Sequence, residues 1–182
     1  GEKVEAVYGM IESKDDLSKT AIIEMSAAAG ITLVPEKSRN PMNTTTFGVG
    51  ELILDAIERG CRQFIVGIGG SATNDGGVGM LQALGYDFVT REGKPISYGG
   101  NGLRELARIE ESNVHPRLKE CTFKVACDVT NPLCGENGSS AIFGPQKGAT
   151  PEMVQELDQL LLHYAELSKS INSYADRFYP GT

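Results

Sequence analysis

Apolar and polar residues along the chain follow two alternating periods. Val4 to Ile11, Ala21-Ile22-Ile23-Glu24-Met25, Phe64 to Ile68, Tyr86 to Thr90 and Thr122 to Val129 are apolar runs of strand length. Between them, apolar positions recur three and four apart. Leu52, Ile53, Ala56 and Ile57 predict a helix over Glu51 to Arg59, with Thr46 as its candidate N-cap and Gly60 closing its end. Val78, Leu81, Ala83 and Leu84 predict a second helix stopped by Gly85, and Leu103 to Glu111 reads as a third. Thr150-Pro151-Glu152 combines an N-cap, a proline at the first helical position and an acid facing the positive end. The stripe Met153, Leu157, Leu160, Leu161, Tyr164, Leu167 and Ile171 continues that helix, and His163, off the stripe, reads as a solvated surface residue. Arg91 to Pro95 is a turn, and Asn131 to Ala149 reads as a long irregular loop of the kind that carries function.

This alternation predicts an α/β fold. At 182 residues the chain suits one sizeable domain or two small ones, and it contains no internal repeat, low-complexity tract or evident linker. It opens without methionine on a strand-like run and closes on Pro180-Gly181-Thr182, which reads as the start of a turn; both ends suggest a piece of a longer protein.

Charge narrows the partners. With 24 acidic and 17 basic residues the net charge is -7, and no Lys/Arg run forms the basic stripe of a nucleic-acid binder. An anionic ligand would have to be drawn in locally, by single Lys or Arg side chains and backbone N–H groups. No apolar stretch approaches the ~20 residues that span a bilayer, and Gly1-Glu2-Lys3-Val4 resembles no signal peptide, so a cytoplasmic protein is expected. The four cysteines, Cys61, Cys121, Cys127 and Cys134, have no C-x-x-C spacing, and His115 and His163 are the only histidines. Reduced thiols are the expectation, with Cys127 a small core residue within a strand.

The most unusual stretch is Gly67-Ile68-Gly69-Gly70-Ser71-Ala72-Thr73-Asn74-Asp75-Gly76-Gly77-Val78-Gly79, with six glycines in thirteen residues directly after a strand. Three readings compete. Gly67 to Ala72 satisfies the dinucleotide pattern G-x-G-x-x-A, but Asn74-Asp75-Gly76-Gly77 interrupts the helix that should follow, and the next strand ends without the expected acid. An anion cradle asks only for flexible backbone N–H groups beside hydroxyls and an acid, which Ser71 to Gly77 supplies, although no Walker A motif occurs. The plainest reading is tight turns and close helix–sheet packing. From the residues alone, the anion site and the packing role stay open.

The same segment, taken with Thr44-Thr45-Thr46-Phe47-Gly48-Val49-Gly50-Glu51-Leu52, Ala126-Cys127-Asp128-Val129-Thr130-Asn131-Pro132-Leu133 and Phe143-Gly144-Pro145-Gln146-Lys147-Gly148-Ala149, resembles the bacterial glycerate kinases of the type I family over essentially the whole chain. The resemblance implies ATP-dependent, magnesium-requiring phosphorylation of D-glycerate, usually at the 2-hydroxyl. It also implies a mixed sheet with flanking helices as one domain of a longer, two-domain kinase, whose missing domain would be a partner; an oligomer is compatible with it.

Phosphoryl transfer asks a protein for positioning and charge neutralisation, and the resemblance places candidates for each part. Asp128 is the candidate base, with capping of the turn before Asn131-Pro132 as its structural alternative. Asp75 could hold magnesium or a glycerate hydroxyl. Gly69, Gly70, Ser71, Thr73, Asn74, Gly76 and Asn131 would surround phosphate or substrate, and Lys147 would meet a phosphate or the glycerate carboxylate. Glu24 and Thr46 are weaker candidates for substrate contacts, with strand-end and N-cap duties as their alternatives.

Overall fold

The computed structural model describes residues 2–12, 19–173, 175 and 181; the Pro180 and Thr182 positions of the expected terminal turn lie outside them. The described residues form six strands: β1 (Gly9–Glu12), β2 (Lys19–Glu24), β3 (Cys61–Gly67), β4 (Asp87–Val89), β5 (Arg108–Glu110) and β6 (Thr122–Ala126). The α-helices are α1 (Met25–Ala29), α2 (Phe47–Glu58), α3 (Val78–Ala83), α4 (Ser139–Phe143) and α5 (Pro151–Ser168). The main sheet is mixed, in the order β1-β2-β3-β6, with β1 antiparallel to β2 and the other two pairings parallel. Strands β4 and β5 form a separate antiparallel pair.

Alternation within the strands decides which face is covered. Ala21 and Ile23 of β2 and Phe64 and Val66 of β3 point one way and are buried against Val49, Ile53, Ala56 and Ile57 of α2. A fully buried Phe64 or Ile53 contributes roughly 1.5–3 kcal/mol relative to leaving it exposed. Helix α3 lies close on α2 because Gly50 has no side chain: a Cβ there would run into the Met80 carbonyl and the Ala83 methyl. A second apolar cluster joins Val78, Phe88, Ile96, Leu103, Leu106, Ile109 and Leu161, so α5 packs beside the β4–β5 pair. Thr150 caps α5 as expected, its hydroxyl accepting from Met153 N at 3.3 Å.

Several expectations are corrected. The third helix is absent: a 3-10 segment at Gly100–Glu105 is followed by β5, in which Ile109 turns inward and Arg108 outward. Pairing with β4 overrides the local preference there. The irregular loop at 131–149 contains α4 and a 3-10 turn at Pro145–Lys147. The run Val4 to Ile11 is a strand only from Gly9 onward, and the run Ala21 to Met25 leaves the strand at Glu24, Met25 being the first residue of α1. Cys127 is exposed, not a core residue, because β6 is an edge strand with all five residues exposed. His163 is on the surface as expected, with Nε2 2.9 Å from the Leu106 carbonyl.

Candidate functional site

Register brings the predicted residues to one edge. Glu24 ends β2 opposite Gly67, and Gly67 ends β3 opposite Ala126, two residues before Asp128. The glycine segment, Glu24 and Asp128 therefore all emerge at the carboxyl ends of parallel strands, where open α/β sheets place their ligands. A Cβ on Gly67 would run into the Glu24 carboxylate, so this glycine leaves the space that the Glu24 side chain occupies across the strand ends.

Beyond β3 the glycine segment is held from two sides. Gly70, at φ +68, turns the chain so that its carbonyl accepts from Ile31 N at 2.8 Å. Ala72 donates to the Ala29 carbonyl at 2.8 Å and accepts from the Thr44 hydroxyl at 2.7 Å. The intervening residues face α4 and the 3-10 turn after it. Lys147 Nζ donates to Ser71 Oγ at 2.8 Å and to the Thr73 carbonyl at 2.6 Å, and Asn74 Nδ2 donates to Ser140 Oγ at 2.9 Å.

Asp75 ends this clamped stretch and is 1% exposed. Its Oδ2 accepts from Thr46 N at 2.9 Å, Thr46 Oγ1 at 2.9 Å and Gly79 N at 3.2 Å, and its Oδ1 accepts from Gly77 N at 3.1 Å. The Thr46 hydroxyl in turn accepts from Met80 N at 2.9 Å. Thr46 does occupy the N-cap position of α2, but its hydroxyl makes no bond to that helix and ties α2 to α3 instead. One buried carboxylate thus gathers the N-termini of both helices, where their positive ends favour it.

That bonding leaves Asp75 a poor fit for a magnesium ion, which needs carboxylate oxygens free to enter an octahedral shell. Among the described residues no group of three or more His, Cys, Asp or Glu side chains is placed to hold a metal. The exposed carboxylates at the sheet edge belong to Glu24 and Asp128.

Lys147 differs from an ordinary surface lysine. Its two acceptors are neutral oxygens, and no carboxylate lies within ion-pair distance among the described residues. Burial pushes its pKa down to about 8, with the nearby Asp75 charge opposing that shift. At neutral pH it is an ammonium with charge to offer an anion. Backbone donors stand nearby: the N–H groups of Gly69, Gly70, Ser71, Thr73, Asn74 and Gly76 reach no protein acceptor among the described residues, whereas those of Ala72, Gly77, Val78, Gly79 and Met80 do.

The remaining candidates are less closely gathered. Asn131 Nδ2 donates to the Asn137 carbonyl at 2.9 Å, folding its own loop. Gly76, at φ +62, passes so near Leu161 and Tyr164 that a Cβ would meet both side chains at 2.9 Å. The dinucleotide reading loses its helix, since α3 begins only at Val78 and has six residues. A cavity of about 420 Å³ lined by Gly135, Ala141, Val154 and Asp158 contains none of the predicted residues. Sequence reasoning missed Thr44 and Ser140, whose contacts across the fold have no local signature; Gly138-Ser139-Ser140 before Ala141-Ile142-Phe143 was the one hint of a short helix.

Over residues 1–182 the chain matches the family described as the glycerate kinase family. It is 56% identical over 169 residues to the glycerate kinase of Haemophilus influenzae, covering 93% of this chain and 44% of that protein. It is likewise 56% identical to the glycerate 2-kinase of Escherichia coli, covering 93% of this chain and 43% of that one. A crystal structure from Salmonella typhimurium LT2, described as glycerate kinase 2, superposes with a TM-score of 0.93 at 49% identity, covering 100% of this chain and 48% of that one. The chain thus spans less than half the length of these relatives.

Proposed function

The chain belongs to the glycerate kinase family, and on that premise we propose that the full-length protein transfers a phosphoryl group from ATP to D-glycerate. The 2-hydroxyl is the favoured acceptor, in line with the name of the Escherichia coli relative. Residues 1–182 would form one α/β domain of a two-domain cytoplasmic enzyme, with the nucleotide held between this domain and the rest of the polypeptide. The unbridged thiols of Cys61, Cys121 and Cys127 suit a reducing compartment.

The observation that carries the reading is Lys147. An ammonium brought across 76 residues of sequence onto Ser71, and held there by neutral oxygens, keeps its charge for an anionic ligand. The unpaired N–H groups of Gly69, Gly70 and Ser71 would add donors for the same phosphate or carboxylate. ATP would supply the phosphoryl group, and its magnesium would travel mainly on the phosphates, with the exposed Glu24 or Asp128 carboxylate as an additional oxygen ligand. Asp128, exposed at the sheet edge, would orient the glycerate hydroxyl and accept its proton. Asp75 and Thr46 would hold the loop in shape without touching substrate.

Steady-state kinetics of full-length Lys147→Met test this directly. Removing a charge-assisted contact should lower kcat/KM for D-glycerate or ATP by about 10- to 100-fold, with the melting temperature unchanged or raised. Unaltered kinetics in the folded variant would remove Lys147 from the site.

A further inference from the structure

Ser140 is fully buried, 0% exposed, on a helix of only five residues, and its hydroxyl accepts from the side chain of Asn74, itself 7% exposed. A buried hydroxyl bonded across 66 residues of sequence must have its partner in place or leave an amide N–H unsatisfied. Its position along the clamped segment gives the bond its meaning. Ser71 and Thr73 receive Lys147, while Asn74, the next residue, reaches Ser140. Ser140 and Lys147 belong to one continuous unit: α4 runs into Gly144, whose N–H donates to the Ser140 carbonyl at 3.0 Å, and Lys147 N donates to the Gly144 carbonyl at 2.9 Å. A Cβ on Gly144 would run into that same Ser140 carbonyl, so the turn leading to Lys147 is built directly on Ser140.

We infer that Ser140 is a positioning residue for the anion site: through the Asn74 amide it fixes α4 on the glycine segment, and through α4 and Gly144 it fixes where the Lys147 ammonium stands. This rests on the reading that Lys147 meets an anionic group of the substrates. Lysine has a flexible four-carbon stem, and its two acceptors, Ser71 Oγ and the Thr73 carbonyl, constrain only its tip. With the Asn74–Ser140 bond broken, the root of that stem is free to shift while the tip bonds persist, and the ammonium loses its aim rather than its charge.

The experiment is a double-mutant cycle in the full-length enzyme, using Ser140→Ala, Lys147→Met and the combination, with KM for D-glycerate and ATP, kcat and Tm measured for each. Ser140→Ala should raise KM for one of the two substrates by about 10-fold while kcat changes by less than about 3-fold. In the Lys147→Met background the same change should move KM by less than about 2-fold, because the residue it aims is gone. Ser140→Cys, which fills similar space with a poor acceptor, should reproduce the rise in KM and guards against poor folding of the alanine variant. A lower Tm with parental KM in both Ser140 variants would overturn the inference, as would a Ser140→Ala effect that persists in full without Lys147. If Lys147→Met alone left both kcat and KM unchanged, the reading of Lys147 as the anion contact would fall and the inference with it. A normal Ser140→Ala beside a defective Lys147→Met would sink the inference alone.

Discussion

Asp75 and Asp128 both follow parallel strands, yet Asp75 is 1% exposed with four donors on its carboxylate, while Asp128 stands in solvent at the sheet edge. The same substitution should separate them. In full-length Asp128→Asn the shape is kept and the proton acceptor removed, so kcat should fall by on the order of 10²-fold or more with Tm little changed. Asp75→Asn places an N–H₂ group where a donor already points, so its cost should appear in Tm, at about 1–3 kcal/mol of stability. Near-parental kcat in a folded Asp128→Asn variant would move the search for the base elsewhere. Lys147 gives a pH signature at the same scale. Its pKa is lowered from 10.5 to about 8 by burial. The charge that attracts an anion is present below pH 8 and is lost as pH rises through it, so KM for the anionic substrate should climb above pH 8, and Lys147→Met should flatten that limb. Stability should move oppositely. Between about pH 8 and 10.5 the unfolded chain holds a proton that the folded one has released, so this group makes the fold more stable as pH rises across that window.

Among the elements, the contact between α2 and α3 makes the clearest prediction. Gly50 lies in the interior of α2, where alanine would ordinarily gain about 1 kcal/mol in helix propensity. Its missing Cβ is what lets α3 approach, since the space is taken by the Met80 carbonyl and the Ala83 methyl. Gly50→Ala should therefore lower Tm and, by pushing α3 away, disturb the Asp75–Thr46 contact that both helices share. Gly48→Ala, two residues earlier, meets only the Ala28 methyl at 3.2 Å as its nearest contact and should be far milder; equal effects of the two would refute the packing argument. Helices α2 and α5 were legible in the sequence because local signals agreed: an apolar stripe, Gly60 closing one end at φ +92, and Thr150-Pro151 opening the other. Strand β5 was not legible, because three residues of which Ile109 alone is buried carry no period of their own and take their form from β4. For the site, the glycine segment and Lys147 could be marked by residue type and family resemblance. The Asn74–Ser140 and Thr44–Ala72 contacts could not, since each joins small polar groups distant in sequence and is decided by the packing of α1, α2 and α4.

At the scale of the whole molecule, the main sheet formed by the described residues ends on β6, where Phe123 is 39% and Val125 59% exposed, although Phe123 still stacks on Phe64 with ring centroids 4.7 Å apart. Parallel strands are ordinarily covered on both faces, and an exposed apolar edge invites association. The candidate site lies at the carboxyl end of this same open edge, and the chain spans only 43–44% of the Haemophilus influenzae and Escherichia coli relatives. On the proposed reading, Lys147, the glycine segment and Asp128 would offer one side of a phosphoryl-transfer site, namely an anion contact, backbone donors and a carboxylate, and the surface that encloses the nucleotide and excludes water would come from the rest of the polypeptide. Residues 1–182 expressed alone should accordingly show no ATP-dependent phosphorylation of D-glycerate in a coupled assay under conditions in which the full-length protein turns over. The isolated chain should also associate in light scattering, and Val125→Lys should reduce that association. Turnover by residues 1–182 at a rate comparable to that of the full-length protein would place the complete catalytic machinery within them and refute the proposal that a further domain closes the site.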